Sequence, residues 1–301
     1  MMGLRGWRVA VLGDINLDII AFHPRFPREG GEELAEKAYI RHGGSGANIA
    51  HTLSLLGVKT LMIGCVGTDP VGEMLIDGLS AAGVSTSYIQ KTGDEPSGLV
   101  YVIVGCGGER TMLAYRGANK HLRYENLVGD PLDDISALHI SGYSLLEGEQ
   151  RNTALKLLER RGSYLTTLDM CIPLAVNPSF LENLVGRLDC LFINSHEFRE
   201  LSRHSGIGTV SELASRLGCM VVLKKGGDGC EISTVDGVVV EVPAVPVKVV
   251  DTTGAGDAFA AGFIYELVKG SSTVECGERG VRLGALASTT IGGRLEKIDI
   301  S

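Results

Sequence analysis

Asp257 is the residue from which a chemistry can be read first. It stands in DTTGAGDAFAAGFIYELVKG (251–270), directly after Gly254-Ala255-Gly256 and before an apolar run. Phe259, Phe263 and Leu267 recur at i, i+4 and i+8, so the spacing predicts a helix with one buried stripe, starting at Asp257. The first turn of a helix carries unpaired N–H groups and a partial positive charge. Small residues at 254–256 let a phosphoryl group come close to those amides. A carboxylate in the same turn can take the proton of an attacking hydroxyl. Amides and base together suit phosphoryl transfer. The plainer alternative stays open: Asp257 as an N-cap, and the glycines as a tight turn.

Two further stretches have residue types that bind ligands. HGGSGAN (42–48) stands at another helix entrance, where Gly43 and Gly44 permit close backbone approach. Asn48 there offers both a donor and an acceptor, as sugar hydroxyls require. HGG also resembles the oxyanion loop of esterases, but a nucleophile elbow G-x-S-x-G must then follow. Gly43-Gly44-Ser45-Gly46-Ala47 breaks that pattern at its last position, and no complete copy stands elsewhere. LKKGGDG (223–229) follows a strand-like MVVL, so Lys224, Lys225 and the turn amides are placed to hold nucleotide phosphates. It is not a P-loop, because G-x-x-x-x-G-K-[ST] is absent from the chain. Each stretch alone reads equally well as an ordinary glycine-rich helix start or turn.

The elements that must position these residues alternate. RVAVLGD (8–14), TLMIGCVG, ALHISG, SYLTTLDM, LDCLFIN and CMVVL read as buried strands, and helical patterns over 45–57, 70–83, 149–162, 195–204 and 210–218 fall between them. GCEISTV and GVVVEVP make a hairpin around Asp236-Gly237. This rhythm predicts an α/β fold with a mostly parallel sheet covered on both faces. Ligands of such sheets bind at the carboxyl ends of the strands. The β-rich segments at about 15–40 and 95–120 break the rhythm and read as a small sheet over the main one, a lid; FHPRFPREGGEE (22–33) is turn-rich and exposed.

Composition removes several function classes. The 301 residues are 44% hydrophobic with a net charge of −8, ordinary globular values that argue against a nucleic-acid binder. No linker or repeat divides the chain, so one domain over 1–301 is expected. Seven cysteines (65, 106, 171, 190, 219, 230 and 276) lack C-x-x-C spacing and point to a reducing, cytoplasmic setting rather than to disulfides or zinc. His42, His139 and His196 also lack metal-ligand spacing and receive no role. No segment reaches the length of a membrane span.

Taken in order, the motifs resemble those of the ribokinase family of sugar and nucleoside kinases, also called the phosphofructokinase-B family. DTTGAGDAFAAGF matches its C-terminal signature and GGSGANIAHTLSLLG its N-terminal one, with GDINLD (13–18), NSHE (194–197) and KKGGDG (224–229) in the expected order over nearly the whole chain. The resemblance implies a three-layer αβα ribokinase-like, Rossmann-like fold with a small β-sheet lid that often makes a dimer contact. It implies an ATP- and Mg2+-dependent kinase acting on a hydroxymethyl group of a sugar, with a nucleoside as the alternative acceptor. A non-catalytic sugar or nucleotide sensor is the reading from another class.

Residue by residue, Asp257 would be the catalytic base, and Gly254, Ala255 and Gly256 the anion hole. Asn16, Asp18, Gly43, Gly44 and Asn48 would hold substrate hydroxyls. Lys224, Gly226, Gly227 and Gly229 would form the nucleotide loop. Asn194 and Glu197 would place magnesium, through water, while an N-x-x-E capping box explains the same pair. Asp251 and Thr253 match a monovalent-cation (K+) site of some relatives, where Lys297 would put an ammonium in place of the ion. Arg110 and Arg116, in the lid, would contact a carboxylate or phosphate on the substrate. Ser45 stands where ribokinase has lysine, so ribose specificity does not follow.

Overall fold

Period-two runs of Val, Leu and Ile that are apolar on both faces build one sheet, and runs with a polar face build a second. The computed structural model describes residues 6–105, 110–160 and 162–298; Cys106 lies outside them. The chain begins with β1 (Arg8–Leu12) and passes into β2 (Asn16–Phe22) and β3 (Lys37–Gly43). It continues through α1 (Ser45–Leu55), β4 (Lys59–Gly67), α2 (Pro70–Ala81), β5 (Ser85–Thr92), β6 (Gly98–Val104) and β7 (Arg110–Tyr115). Next come β8 (Ala137–Ser141), α3 (Gly148–Glu159), β9 (Leu165–Asp169), the short α4 (Ile172–Ala175), β10 (Cys190–Asn194), α5 (Ser195–Ser205) and α6 (Val210–Leu217). The last part is β11 (Met220–Lys224), β12 (Cys230–Ser233), β13 (Val239–Val242), α7 (Ala255–Lys269) and α8 (Thr273–Ala287).

Among the described residues the main sheet has nine strands in the order β13-β12-β11-β10-β9-β8-β1-β4-β5. All pairs from β11 to β5 are parallel, and β12 and β13 add an antiparallel edge. Alternate side chains enter opposite cores, as strand geometry requires. Ala10 and Leu12 pack with Leu157, Leu201 and Leu213 of α3, α5 and α6. Val9 and Val11 pack with Ile49, Leu75, Phe259 and Phe263 of α1, α2 and α7. The three layers are those expected from the alternation. Six cysteines are free and buried in these cores.

The second sheet has the order β3-β2-β6-β7, with β2–β6 parallel and the outer pairs antiparallel. Its strands cover 16–43 and 98–115, close to the two segments that broke the alternation. Lys37–Gly43 forms a full edge strand that the sequence pattern alone does not mark, since Lys37, Arg41 and His42 hide the apolar alternation. Residues 23–36 form no strand or helix, as the turn-rich composition predicts. No helix of the described residues is long and apolar enough to cross a membrane.

Candidate active site

Parallel pairing brings the carboxyl ends of neighbouring strands to one rim, and polar residues end them there: Asp169 closes β9, Asn194 closes β10 and Lys224 closes β11. Lys224 does not lie on the surface with the following turn. Its Nζ donates to both Asp169 oxygens at 2.7 and 2.8 Å, and a Cβ added to Gly256 would sit 3.3 Å from it. Burial opposes this charge, but Asp169 and Glu197 hold the Lys224 pKa above its ordinary value. A buried cation therefore stands beside the first turn of α7.

That turn starts two residues earlier than the apolar spacing implies. Gly254 is the N-cap, with a left-handed φ of 71°, and Ala255 is the first helical residue. A side chain is excluded at 254 because its Cβ would meet Gly293 Cα at 2.4 Å. Asp257 is thus the third residue of the helix and not its cap, while Gly254 does make the tight turn of the plainer reading. The Ala255 N–H donates to Thr252 O at 3.2 Å, whereas those of Gly254, Gly256 and Asp257 have no partner among the described residues. The amides left free to meet an anion are therefore those of 254, 256 and 257, whereas that of Ala255 is used within the turn.

Asp257 joins the two glycine-rich helix entrances. Ser45 Oγ donates to its Oδ1 at 2.9 Å and Asn48 Nδ2 to its Oδ2 at 2.8 Å. Burial pushes the Asp257 pKa up to about 6, against these two hydrogen bonds. The raised pKa makes it a stronger base than an ordinary carboxylate. Ser45 entered the sequence reading only as a departure from ribokinase, and its contact with the carboxylate shows a direct place in the site.

Around this carboxylate lie the residues expected to hold hydroxyls. Gly43 ends β3 against the Asp18 carboxylate, and Gly44 caps α1. Asp18 is buried with Oδ1 unpartnered among the described residues, and burial and the nearby Asp257 charge raise its pKa to about 7. Asn16 accepts from Asn119 Nδ2 at 2.8 Å. On the other side of α7's first turn, Lys224, Gly226, Gly227, Gly229 and Gly256 line a cleft of about 210 Å3, whose apolar walls include Val245, Val247 and Phe259.

The two arginines expected to meet the substrate both have partners within the chain. Arg116 is held from one side: Nε and Nη2 donate to Asp14 at 3.0 and 2.9 Å, and Nη2 also to Gln150, while Nη1 has no hydrogen-bond partner among the described residues. Arg110, from β7, reaches Thr253 Oγ1 at 2.8 Å and lies 3.8 Å from Asp251 Oδ1. Asp251 further accepts from Thr253 N and Oγ1 and from Gly292 N. The cationic group at Asp251 and Thr253 is thus the Arg110 guanidinium, and Lys297 is exposed.

Arg294 is the site residue that sequence reasoning missed. Its Nε donates to Asn48 Oδ1 at 3.2 Å, Nη2 to Gly43 O at 3.4 Å, and Nη1 faces His42 Nδ1 at 3.2 Å. Burial lowers its pKa to about 10, while Asp18 and Asp257 pull it up. The one signal was a lone arginine after Gly292-Gly293, too common a pattern to act on. His42, given no role from spacing, is its partner.

Asn194 and Glu197 form the capping box of α5: Asn194 Oδ1 accepts from the His196 and Glu197 amides, and Glu197 Oε2 from Asn194 N. Burial lifts the Glu197 pKa to about 7. Among the described residues no three His, Cys, Asp or Glu side chains cluster as a metal cage. Mg2+ needs no such cage, since it keeps most of its waters and takes one or two carboxylates.

This geometry can be set beside known proteins. The model of the pfkB family carbohydrate kinases matches residues 8–299. The chain belongs to this family. It is 30% identical to an uncharacterized sugar kinase of Archaeoglobus fulgidus, over 80% of this chain and 96% of that one. It is 27% identical to the ribokinase of Bacillus subtilis, over 87% and 86%. A sugar kinase from Pyrococcus horikoshii solved in complex with ATP superposes with a TM-score of 0.80 at 25% identity, over 95% and 93%. This pfkB-family chain is a phosphotransferase with an alcohol group as acceptor, and its fold is the ribokinase fold.

Proposed function

We propose that the protein uses ATP, with Mg2+, to phosphorylate a hydroxymethyl group of a sugar. The observation that carries this reading is Asp257: a half-buried carboxylate in the first turn of α7, joined to Ser45 and Asn48, with unpartnered amides on its own turn. The acceptor lies against Asn16, Asp18, Gly43 and Asn48, whose donors and acceptors match a polyol. Asp257 takes the hydroxyl proton as that oxygen attacks the γ-phosphorus, and the bond from phosphorus to the β,γ-bridging oxygen breaks to release ADP. The amides at 254, 256 and 257 and the Lys224 ammonium face the charge on the migrating group. Glu197 would hold magnesium through water, and the ion supplies charge neutralisation on the phosphates. The turn at 226–229 and the apolar cleft beside it would take the nucleotide.

The second sheet serves as a lid in this reading, because it carries Asn16, Asp18 and Gly43 over the rim and excludes water that would compete as acceptor. Its outer face is apolar and open: Ile40, Tyr101 and Leu113 are 62, 44 and 71% exposed. A second copy of the chain covering that face would give a homodimer. Free buried thiols suit the cytoplasm. A nucleoside is the other acceptor class, and the Asp18 and Asn48 groups would meet its ribose as readily.

Asp257→Asn tests the central role. It should leave ATP binding nearly intact while turnover, read as ADP release across a panel of sugars and nucleosides, falls about 10²-fold or more. Turnover within a few-fold of wild type would remove Asp257 as the base. No ADP release from wild type with any acceptor would favour a sensor.

A further inference from the structure

A cavity of about 830 Å3 adjoins the acceptor site without sharing its floor. It lies between Arg41 and His42 of β3, His51 of α1, Gly78 of α2 and the 290–297 segment. Asp18, Asn16, Gly44 and Asp257 do not line it; Arg294 stands between the two spaces. Its lining holds three cationic side chains, Arg41, Arg294 and Lys297, against one carboxylate, Glu296, with His42 and His51 beside them. This excess of two positive charges sits on a chain whose net charge is −8.

The groups there have unspent donors. Arg294 is a fork whose three bonds go to Asn48, Gly43 and His42, leaving N–H groups over. His42 turns Nδ1 toward this cation, so the proton of the neutral ring belongs on Nε2. His51 Nδ1 is buried with no partner among the described residues. Asp18 and Asp257 also face Arg294, from β2 and α7, and share its charge. Arg41 and Lys297 have no such carboxylate partner among the described ion pairs, so the surplus charge is theirs. A guanidinium fork with a lysine and imidazole donors is suited to a dianionic phosphate. The volume lies within the usual range for small-molecule sites and exceeds what a bare phosphate fills.

We propose that this cavity is a second ligand site, separate from the acceptor and nucleotide sites, that binds the phosphate of a small molecule between Arg294, Arg41 and Lys297. The site would bind its ligand whether or not the chain phosphorylates a sugar. Through Arg294, a bound phosphate would touch the residue that holds Asn48, and hence the partner of Asp257.

The test uses the full chain saturated with Mg2+ and the β,γ-imido analogue of ATP, which fills the anion-binding turn of α7. Inorganic phosphate and, in parallel, ribose 5-phosphate are titrated by calorimetry. Saturable binding of either probe is expected. Lys297→Gln, on an exposed side chain that folding does not need, should weaken it about threefold, as for a partly exposed ion pair. Arg294→Gln should weaken it about tenfold or more, as for a buried charged hydrogen bond. Tighter binding of ribose 5-phosphate than of phosphate identifies an organic phosphate as the ligand, and equal binding identifies free phosphate. No saturable binding of either probe, or equal affinity in wild type and Lys297→Gln, overturns the proposal. Failure of the ATP analogue to bind would instead count against the kinase reading, and the variant comparison would still decide the cavity.

Discussion

At the residue scale the site is held together by carboxylates that are costly to keep charged. Asp18 and Asp257 are raised from 3.8 to about 7 and about 6, burial being the largest cause for both. The folded chain therefore binds protons that the unfolded chain has released between pH 4 and 7. Unfolding free energy falls with rising pH where the native state binds more protons. These two groups thus lower stability as pH climbs through that window, with no further loss above it. Asp18→Asn removes one of these charges without removing the shape. It should stabilise the protein by about 1–2 kcal/mol at pH 8, and by little near pH 4. Thermal denaturation at both pH values reads this, and a variant less stable than wild type at pH 8 refutes it. Activity has the opposite sign, since Asp257 must be ionised to act as base. The rate should rise with pH and level off above about 7.

At the element scale, what was legible followed from backbone requirements. The β/α alternation gave the parallel sheet and its helices, and the glycines of 42–48 and 254–256 marked helix entrances where side chains do not fit. What stayed hidden were contacts made across the chain. Lys224 looked like a loop lysine, but strand register buries it against Asp169, whose partnership no local pattern announces. Arg110 lies in β7 and Arg116 one residue beyond it, and their guanidinium groups reach Thr253 and Asp14. Arg294 lies 246 residues from Asn48. Sequence spacing cannot report a pairing at that separation.

The entrance of α1 offers a test at the same scale. A Cβ on Gly46 would come within 2.6 Å of Gly13 Cα, and that atom belongs to backbone at the end of β1. Neither side can yield cheaply. Overpacking of this kind costs about 1–3 kcal/mol, more than the roughly 1 kcal/mol an alanine adds in a helix. Gly46→Ala should therefore lower Tm and, by moving Ser45 and Asn48 off Asp257, raise the acceptor KM. An unchanged Tm and KM would mean the approach of α1 to β1 is not tight.

At the scale of the whole molecule, the second sheet leaves one surface unexplained by a single copy. Register places Ile40, Ile19, Tyr101 and Leu113 in one row across all four strands. The other face of the sheet carries Asp18 and Arg110 toward the site, so the row points away from it. Among the described residues both outer strands, β3 and β7, also present free edges, which attract pairing. If a second copy of the chain covers this apolar row, a two-fold axis would set Leu113 near its equivalent. Light scattering on the purified chain should then give the dimer mass at tens of micromolar. Leu113→Lys, which buries two like charges at such an axis, should give monomer. Each protomer holds its own Asp257, Ser45 and Asn48, so the monomer should still bind nucleotide. With its lid no longer braced, its acceptor KM should rise several-fold. A wild-type monomer, or a lysine variant that stays dimeric, would show that this face is not where the copies meet.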